Sequence, residues 1–257
     1  MKIHEQLGLA EPIPGEVGIE VEVEGRNLPD RFQGIVPWQI VGDGSLRGEN
    51  REFVLKKPVK RGAWEKALNV LRNQLEKNES RVDFSHRCGV HVHINCQGLE
   101  VRDVISFITT YLCFEESLVR WCGDERVGNL FCLRASDAPG LIGWVNRLKE
   151  TGSIRSVYTD RVRYGSVNLK ALATYGSLEF RAMRSDLTPG VIEDWVNVLL
   201  KIKDYSVGKR DVDIISQFSL QGPQDFFNEV LGEFRDKINP TEYELVSGMR
   251  NAQEVAF

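Results

Sequence analysis

Histidine is scarce in this chain. There are four in 257 residues, and none follows His93. Cysteine is present in an odd number, five, with no CxxC pair among Cys88, Cys96, Cys113, Cys122 and Cys132. That argues against a disulfide framework or a structural zinc site and for reduced thiols in a cytoplasmic protein. No apolar run approaches the ~18 residues of a membrane span, and Met1–Pro14 lacks a basic start followed by an apolar stretch, so secretion and membrane residence are not expected. A net charge of −4 gives no basic field, and no nucleic-acid partner is evident. There is no GxxxxGK[ST] and no GxGxxG after a strand, which removes the common phosphate-cradling loops. No repeat or Pro/Gly/Ser-rich linker divides the chain, so residues 1–257 read as a single domain.

What is present is alternation. In Val17–Glu24 the apolar Val17, Ile19, Val21 and Val23 alternate with Glu20, Glu22 and Glu24 from Gly18 onward, the pattern of a half-buried strand. Pro37–Val41 and Glu52–Leu55 read as two further strands joined through Gly42-Asp43-Gly44-Ser45. Gly89–Asn95 sets Val90, Val92 and Ile94 against His91 and His93. Two more strands are expected over Asp160–Leu169 and Ser177–Met183. Helical spacing marks Trp64–Lys77, Leu99–Trp121, a segment from Pro139 to Gly152, and one from Thr188-Pro189 to about Ser206. The tail from Asp211 carries further helices. Paired strands with grouped helices predict an α+β fold with a mostly antiparallel sheet.

The strands share a charged face. The first offers Glu20, Glu22 and Glu24, the third begins at Glu52, the next carries His91 and His93, and the last two carry Arg161, Arg163, Glu179 and Arg181. Alternate strand residues lie ~6.7 Å apart on one side. Two like charges at that spacing repel by ~0.6 kcal/mol in water but ~2.4 kcal/mol at an effective dielectric of 20. The second value exceeds what a cross-strand pair contributes, so an enclosed Glu triplet needs a cation. Carboxylates with an imidazole suit Mg²⁺ or Mn²⁺ better than zinc, and arginines suit nucleotide phosphates. Each piece alone reads most simply as a solvated or structural feature; five acids and three arginines on one face do not. HxH also opens the metal sites of amidohydrolase barrels and cupins, but those need later imidazoles that this chain lacks. Cys88 stands at an odd offset from His91 and His93, on the opposite face, so a Cys–His nucleophile is not expected. Arg126 and Arg134 read as solvated surface.

One ordered series ties these pieces together. Gly18-Ile-Glu-Val-Glu, Trp38 with Asp43-Gly-Ser-Leu, Glu52, Cys88-Gly-Val-His-Val-His, Arg163-Tyr with Val167-Asn-Leu, and Leu178-Glu-Phe-Arg together resemble the amidoligase family over about residues 15–205. These are carboxylate–amine ligases with the glutamine synthetase/glutamate–cysteine ligase fold. The resemblance implies a curved sheet that binds ATP with Mg²⁺ (or Mn²⁺) on its concave face, helices on the convex face, and amide formation through an acyl phosphate. It implies Glu20, Glu22, Glu52, His91 and Glu179 as metal ligands. Arg181 and Arg163 would contact phosphate, with Arg161 as an alternative, and His93 would face phosphate or substrate. Asn168 would face nucleotide or substrate, and Asp43 would position the amine. Substrates would be small-molecule or peptide carboxylates and amines, with homo-oligomer formation left open. A phosphotransferase of guanidino-kinase type, and a non-catalytic binding or assembly protein, are the alternatives on the same sheet. Residues 211–257 read as a helical extension with no counterpart in the series.

Overall fold

The alternation from Val17 builds the central strand β1 (Val17–Arg26), whose Val17, Ile19, Val21 and Val23 are all buried. The computed structural model describes every residue except Asp43, Phe84, Pro139 and Val162. Around β1 a seven-stranded sheet assembles from β2 (Trp38–Val41), β3 (Glu49–Leu55), β4 (Arg81–Asp83), β5 (Gly89–Asn95), β6 (Val167–Asn168) and β7 (Ser177–Arg184). The order is β2-β3-β1-β5-β7-β6, with β4 pairing the far end of β1, and every ladder between these strands is antiparallel. The architecture is α+β with an open, mostly antiparallel sheet.

Helices supply the other layer: α1 (Ile3–Gln6), α2 (Ala63–Lys77), α3 (Val101–Cys122), α4 (Gly140–Thr151), α5 (Lys170–Tyr175), α6 (Val191–Ser206), α7 (Asp211–Gln221), α8 (Pro223–Leu231), α9 (Arg235–Ile238) and α10 (Glu242–Ala256). The apolar sides of the strands pack against helices; α6 meets β5 and α3 meets β7. The rings of Phe107 and Tyr111 on α3 lie 5.3 Å and 4.9 Å from that of Phe180 on β7. Truncating such a buried ring costs ~3–5 kcal/mol. Helix α10 runs against α3 closely enough that a Cβ at Gly248 would stand 2.6 Å from the carbonyl oxygens of Leu112 and Cys113. Its start is fixed by Thr241 and Glu244, which cap one another, and Glu244 pairs with Arg120 of α3. The C-terminal helices therefore share the core of α3 and contribute Phe226, Phe227, Leu245 and Val255 to it. Among the described residues no helix is long and apolar enough to cross a membrane.

One expected strand is mostly absent. Among the described residues of Asp160–Leu169, Val167–Asn168 pairs with β7 and Ser166 O accepts from Arg181 N–H at 2.8 Å. The segment before it offers no continuous apolar face. Its backbone instead meets a second loop, where Leu133 N–H donates to Tyr164 O and Ser166 N–H donates to Leu133 O, each at 2.7 Å. Asp160 pairs with Lys170, and a short helix, α5, fills the turn into β7.

Candidate active site

Antiparallel register brings the polar side chains of β1, β3, β5 and β7 together. Glu20 lies opposite His91, Glu22 opposite Glu52, and His93 opposite Glu179. The resulting contacts are short. His91 Nδ1 is 3.1 Å from Glu20 Oε2 and 3.7 Å from Glu179 Oε1, while its Nε2 is 3.6 Å from Glu22 Oε2. His93 Nε2 is 3.2 Å from Glu20 Oε1, and its Nδ1 is 3.1 Å from Ser177 Oγ. Arg181 Nη1 donates to Glu179 Oε1, and Asn168 Nδ2 donates to Glu179 Oε2 at 2.7 Å.

Two sets of ligand atoms each fall within 4.8 Å of one another: Glu20, His93 and Glu179, and Glu20, Glu52 and His91. Glu20 belongs to both. An octahedral cation at ~2.1 Å from its ligands holds them ~3.0–4.2 Å apart, inside that limit. The donors are carboxylates with one imidazole per set, a hard-cation composition. His93 Nε2 adds a sign of its own. It is buried and makes no properly aligned hydrogen bond, although Glu20 is 3.2 Å away. A nitrogen placed so fits a metal ligand, and the residues present fit Mg²⁺ or Mn²⁺.

The electrostatics follow from this crowding. Burial pushes the Glu20 carboxyl up, but the His91 hydrogen bond and the close contact with His93 outweigh it and hold the group well below the usual carboxylate range. Glu179 is likewise lowered: burial opposes ionisation, and the charges of His93 and Arg181 overcome it. His93 is raised against its own burial by the adjoining Glu20 carboxylate and the Glu179 charge. A bound divalent cation would help balance these carboxylates.

At the end of this face where β1 begins lies a cavity of about 480 Å³. Its walls include Val54, Leu55, Pro58 and Tyr175, together with Leu7, Leu9 and Ile13 of the N-terminal segment, and Glu20 and His93 form part of its lining. Gln97 holds the N-terminal wall in place, accepting from Ile13 N–H at 2.6 Å and donating to Tyr175 O at 2.8 Å. Asn95 Nδ2 donates to Gly15 O at 2.7 Å.

The arginines sit beside Glu179 and His91. Arg163 stacks over the Tyr164 ring at 4.5 Å, and Arg181 lies 5.9 Å from the same ring. Phe131 meets Tyr164 edge-on at 5.7 Å, and its carbonyl accepts from Arg181 Nε at 3.4 Å. Both loops are anchored from below by Glu115 on α3, which accepts from Ser166 Oγ and from Ala135 N–H. Burial pushes the Glu115 carboxyl up to about 7 against those two hydrogen bonds.

The structure thus unites Glu20, Glu22, Glu52, His91, His93, Glu179 and Arg181. His93, expected to face phosphate or substrate, lines the cavity and also stands among the metal-capable groups. Asn168 is buried, and its amide is engaged by Glu179 and Lys170 N–H, so it orients Glu179. Arg163 is a loop residue brought near Arg181 by Tyr164, not a strand residue. Arg161 is an exposed loop residue whose contact is a backbone bond to Thr159. Asp43 lies outside the described residues. Glu24 accepts from Arg47 N–H at 2.7 Å and so fastens the loop between β2 and β3. Arg134 is partly buried between Glu116 and Asp137. Arg126 is the residue the sequence misplaced: it is 1% exposed, buried beside Glu22 and His91 rather than on the surface. Nothing in the local sequence Gly123-Asp-Glu-Arg signals that burial. Cys88 is buried outside the face, and burial raises its thiol.

A family model described as "putative amidoligase enzyme" matches residues 31–203. The matched span contains Glu52, His91, His93, Glu179 and Arg181, while β1 with Glu20 and Glu22 precedes it. No curated protein matches the chain.

Proposed function

The chain belongs to the amidoligase family, and from that premise we propose that it is an ATP- and Mg²⁺-dependent carboxylate–amine ligase with the glutamine synthetase/glutamate–cysteine ligase type of sheet. We take residues 1–257 as one catalytic unit. The observation that carries the reading is the two sets of metal-capable groups sharing Glu20, set between a nucleoside-sized cavity and an arginine cluster.

In this reading Glu20, Glu52, His91, His93 and Glu179 hold divalent ions, with Glu22 beside them. The ions supply charge neutralisation at the β- and γ-phosphates. The cavity beside Glu20 and His93 takes the nucleoside of ATP: its walls are largely apolar, and Thr174, Ser177 and Gln39 offer polar groups at its lining. Arg181, held at a fixed angle by Glu179 and the Phe131 carbonyl, presents its guanidinium to the transferring phosphoryl group, with Arg163 as the second anion contact. A substrate carboxylate oxygen attacks the γ-phosphorus and releases ADP. The amine then adds to the acyl carbon, and phosphate leaves with the amide formed and one proton lost from nitrogen. Asn168 keeps Glu179 from rotating away during both steps.

The test is an ADP- and phosphate-release screen across pools of carboxylic acids and amines, with product mass measured. ADP, free phosphate and an amide product support the ligase. A stable phosphorylated guanidino product would replace this reading with a phosphotransferase, and tight Mg-ATP binding without turnover in any pool would point to a binding protein.

A further inference from the structure

Strands β5 and β7 slip out of register in the middle of the face. Val92 lies opposite Phe180 but Val90 opposite Met183, so Arg181 and Ala182 together oppose the single residue His91. A bulge of this kind carries one residue more than the ladder can pair and turns its side chain to a new angle. Its carbonyls need donors from elsewhere. Arg126, from the loop after α3, supplies them. Its Nη2 donates to Arg181 O at 2.8 Å and its Nε to Ala182 O at 3.0 Å, both bulge residues. Its Nη1 reaches Cys88 O at 3.3 Å and His86 O at 3.4 Å, on the segment leading into β5. One buried guanidinium therefore fastens both strands where His91 and Arg181 meet.

The same group backs the metal-capable residues. Gly89 N–H donates to Glu22 Oε2 at 2.8 Å. A Cβ at Gly89 would stand 3.1 Å from Arg126 Nη2, 3.4 Å from Glu22 Oε2 and 3.5 Å from His91 Nε2. The three side chains converge on the Gly89 position, where a Cβ would press on Arg126 Nη2.

We propose that Arg126 is a positioning residue of the active site: by fastening the β5–β7 bulge behind Gly89, it sets the angles at which His91, Glu22 and Arg181 face the metal and the phosphoryl group. The inference rests on the metal reading of the face. Lysine cannot substitute, because a compact ammonium with three donors does not span four carbonyls arranged around a planar fork.

The experiment is Mn²⁺ titration of the full chain followed by electron paramagnetic resonance, with thermal unfolding in parallel. Arg126→Lys is expected to weaken Mn²⁺ binding ~10–100-fold, the scale of an outer-shell change. Gly89→Ala, whose Cβ would press first on Arg126 Nη2 and so displace the fork from the site side, is expected to weaken it as well. Arg72→Lys is the control: Arg72 forms a fork on Glu193 and Leu187 O away from the face, so its loss lowers Tm and leaves Mn²⁺ affinity within about twofold. Overturning results are an Arg126→Lys variant that behaves like Arg72→Lys, or, if Arg126→Lys does not fold, a Gly89→Ala variant with wild-type Mn²⁺ affinity. Absence of Mn²⁺ binding by the wild type would sink the metal reading and this inference with it. Wild-type binding with unaltered variants sinks this inference alone.

Discussion

At one end of the polar face, where β1 begins and β5 finishes, Glu20, His93 and Glu179 stand where antiparallel register puts them. Beside them on the same face, Arg181 depends instead on a bulge, on a buried arginine from a distant loop, and on two loops tied down by Glu115. The first construction is rigid because each side chain rides on a laddered backbone with a buried apolar face behind it. The second is adjustable, since its geometry is set by side chain–backbone bonds that single substitutions remove. A face of this design sets metal-capable groups held by the strand ladder beside an arginine held by side chain–backbone bonds.

The largest effect should come from the laddered groups. Glu20→Ala removes the group common to both ligand sets and should weaken Mn²⁺ binding by more than ~100-fold, beyond an outer-shell change. Turnover should vanish while Tm stays near wild type. Retained Mn²⁺ affinity would show that the two sets do not share a ligand. Arg181→Lys strikes the other construction. We expect a ~10²–10³-fold loss of kcat, the scale of one missing charge-stabilising donor, with Mn²⁺ affinity little changed. Equal losses of metal binding in both variants would erase the distinction between the two constructions.

Glu115→Gln tests the loop anchor through pH. The folded Glu115 carboxyl is raised from its ordinary 4.5 to about 7, so between those values the folded state holds a proton that the unfolded state has released. Stability from this group is then complete below pH ~4.5, falls as pH rises, and levels off above ~7, a loss on the order of 3 kcal/mol. Glutamine should flatten that slope, and Tm profiles from pH 5 to 8.5 check it. An unchanged slope would mean that Glu115 ionises freely in the fold. Gln97→Ala should loosen the cavity wall, costing ~1–3 kcal/mol of stability and raising the KM for ATP roughly tenfold at unchanged kcat. The smallest contrast is between two loop arginines. Arg163→Ala should raise the KM for ATP a few-fold, and Arg161→Ala, exposed and away from the Tyr164 stack, should leave it within about twofold.

The residues legible in the sequence are those governed by a period of two. Glu20, Glu22, His91, His93, Glu179 and Arg181 share a face because alternate strand positions do, and the valines between them show which side is buried. Arg161 and Arg163 obeyed the same spacing yet left the sheet, because spacing without a continuous apolar face gives a segment nothing to bury. His93 joined the metal-capable groups because pairing set it opposite Glu179, which the HxH motif alone does not disclose. Arg126 was illegible for a different reason. Its four carbonyl acceptors lie at least 38 positions away in sequence, and no local pattern announces bonds made across the fold.

By itself the sequence determined the chemistry available: hard oxygen ligands with a pair of imidazoles, arginines for anions, too few histidines for a zinc hydrolase, and an antiparallel sheet to carry them. Local periodicity suffices for that, since it depends on neighbours two residues apart. Only the tertiary structure decided that Glu20 serves both ligand sets, that the N-terminal segment walls the cavity, and that Arg126 fastens the bulge. Those outcomes depend on strand register and on carbonyls left unpaired by one extra residue, and both are fixed only when distant segments pack.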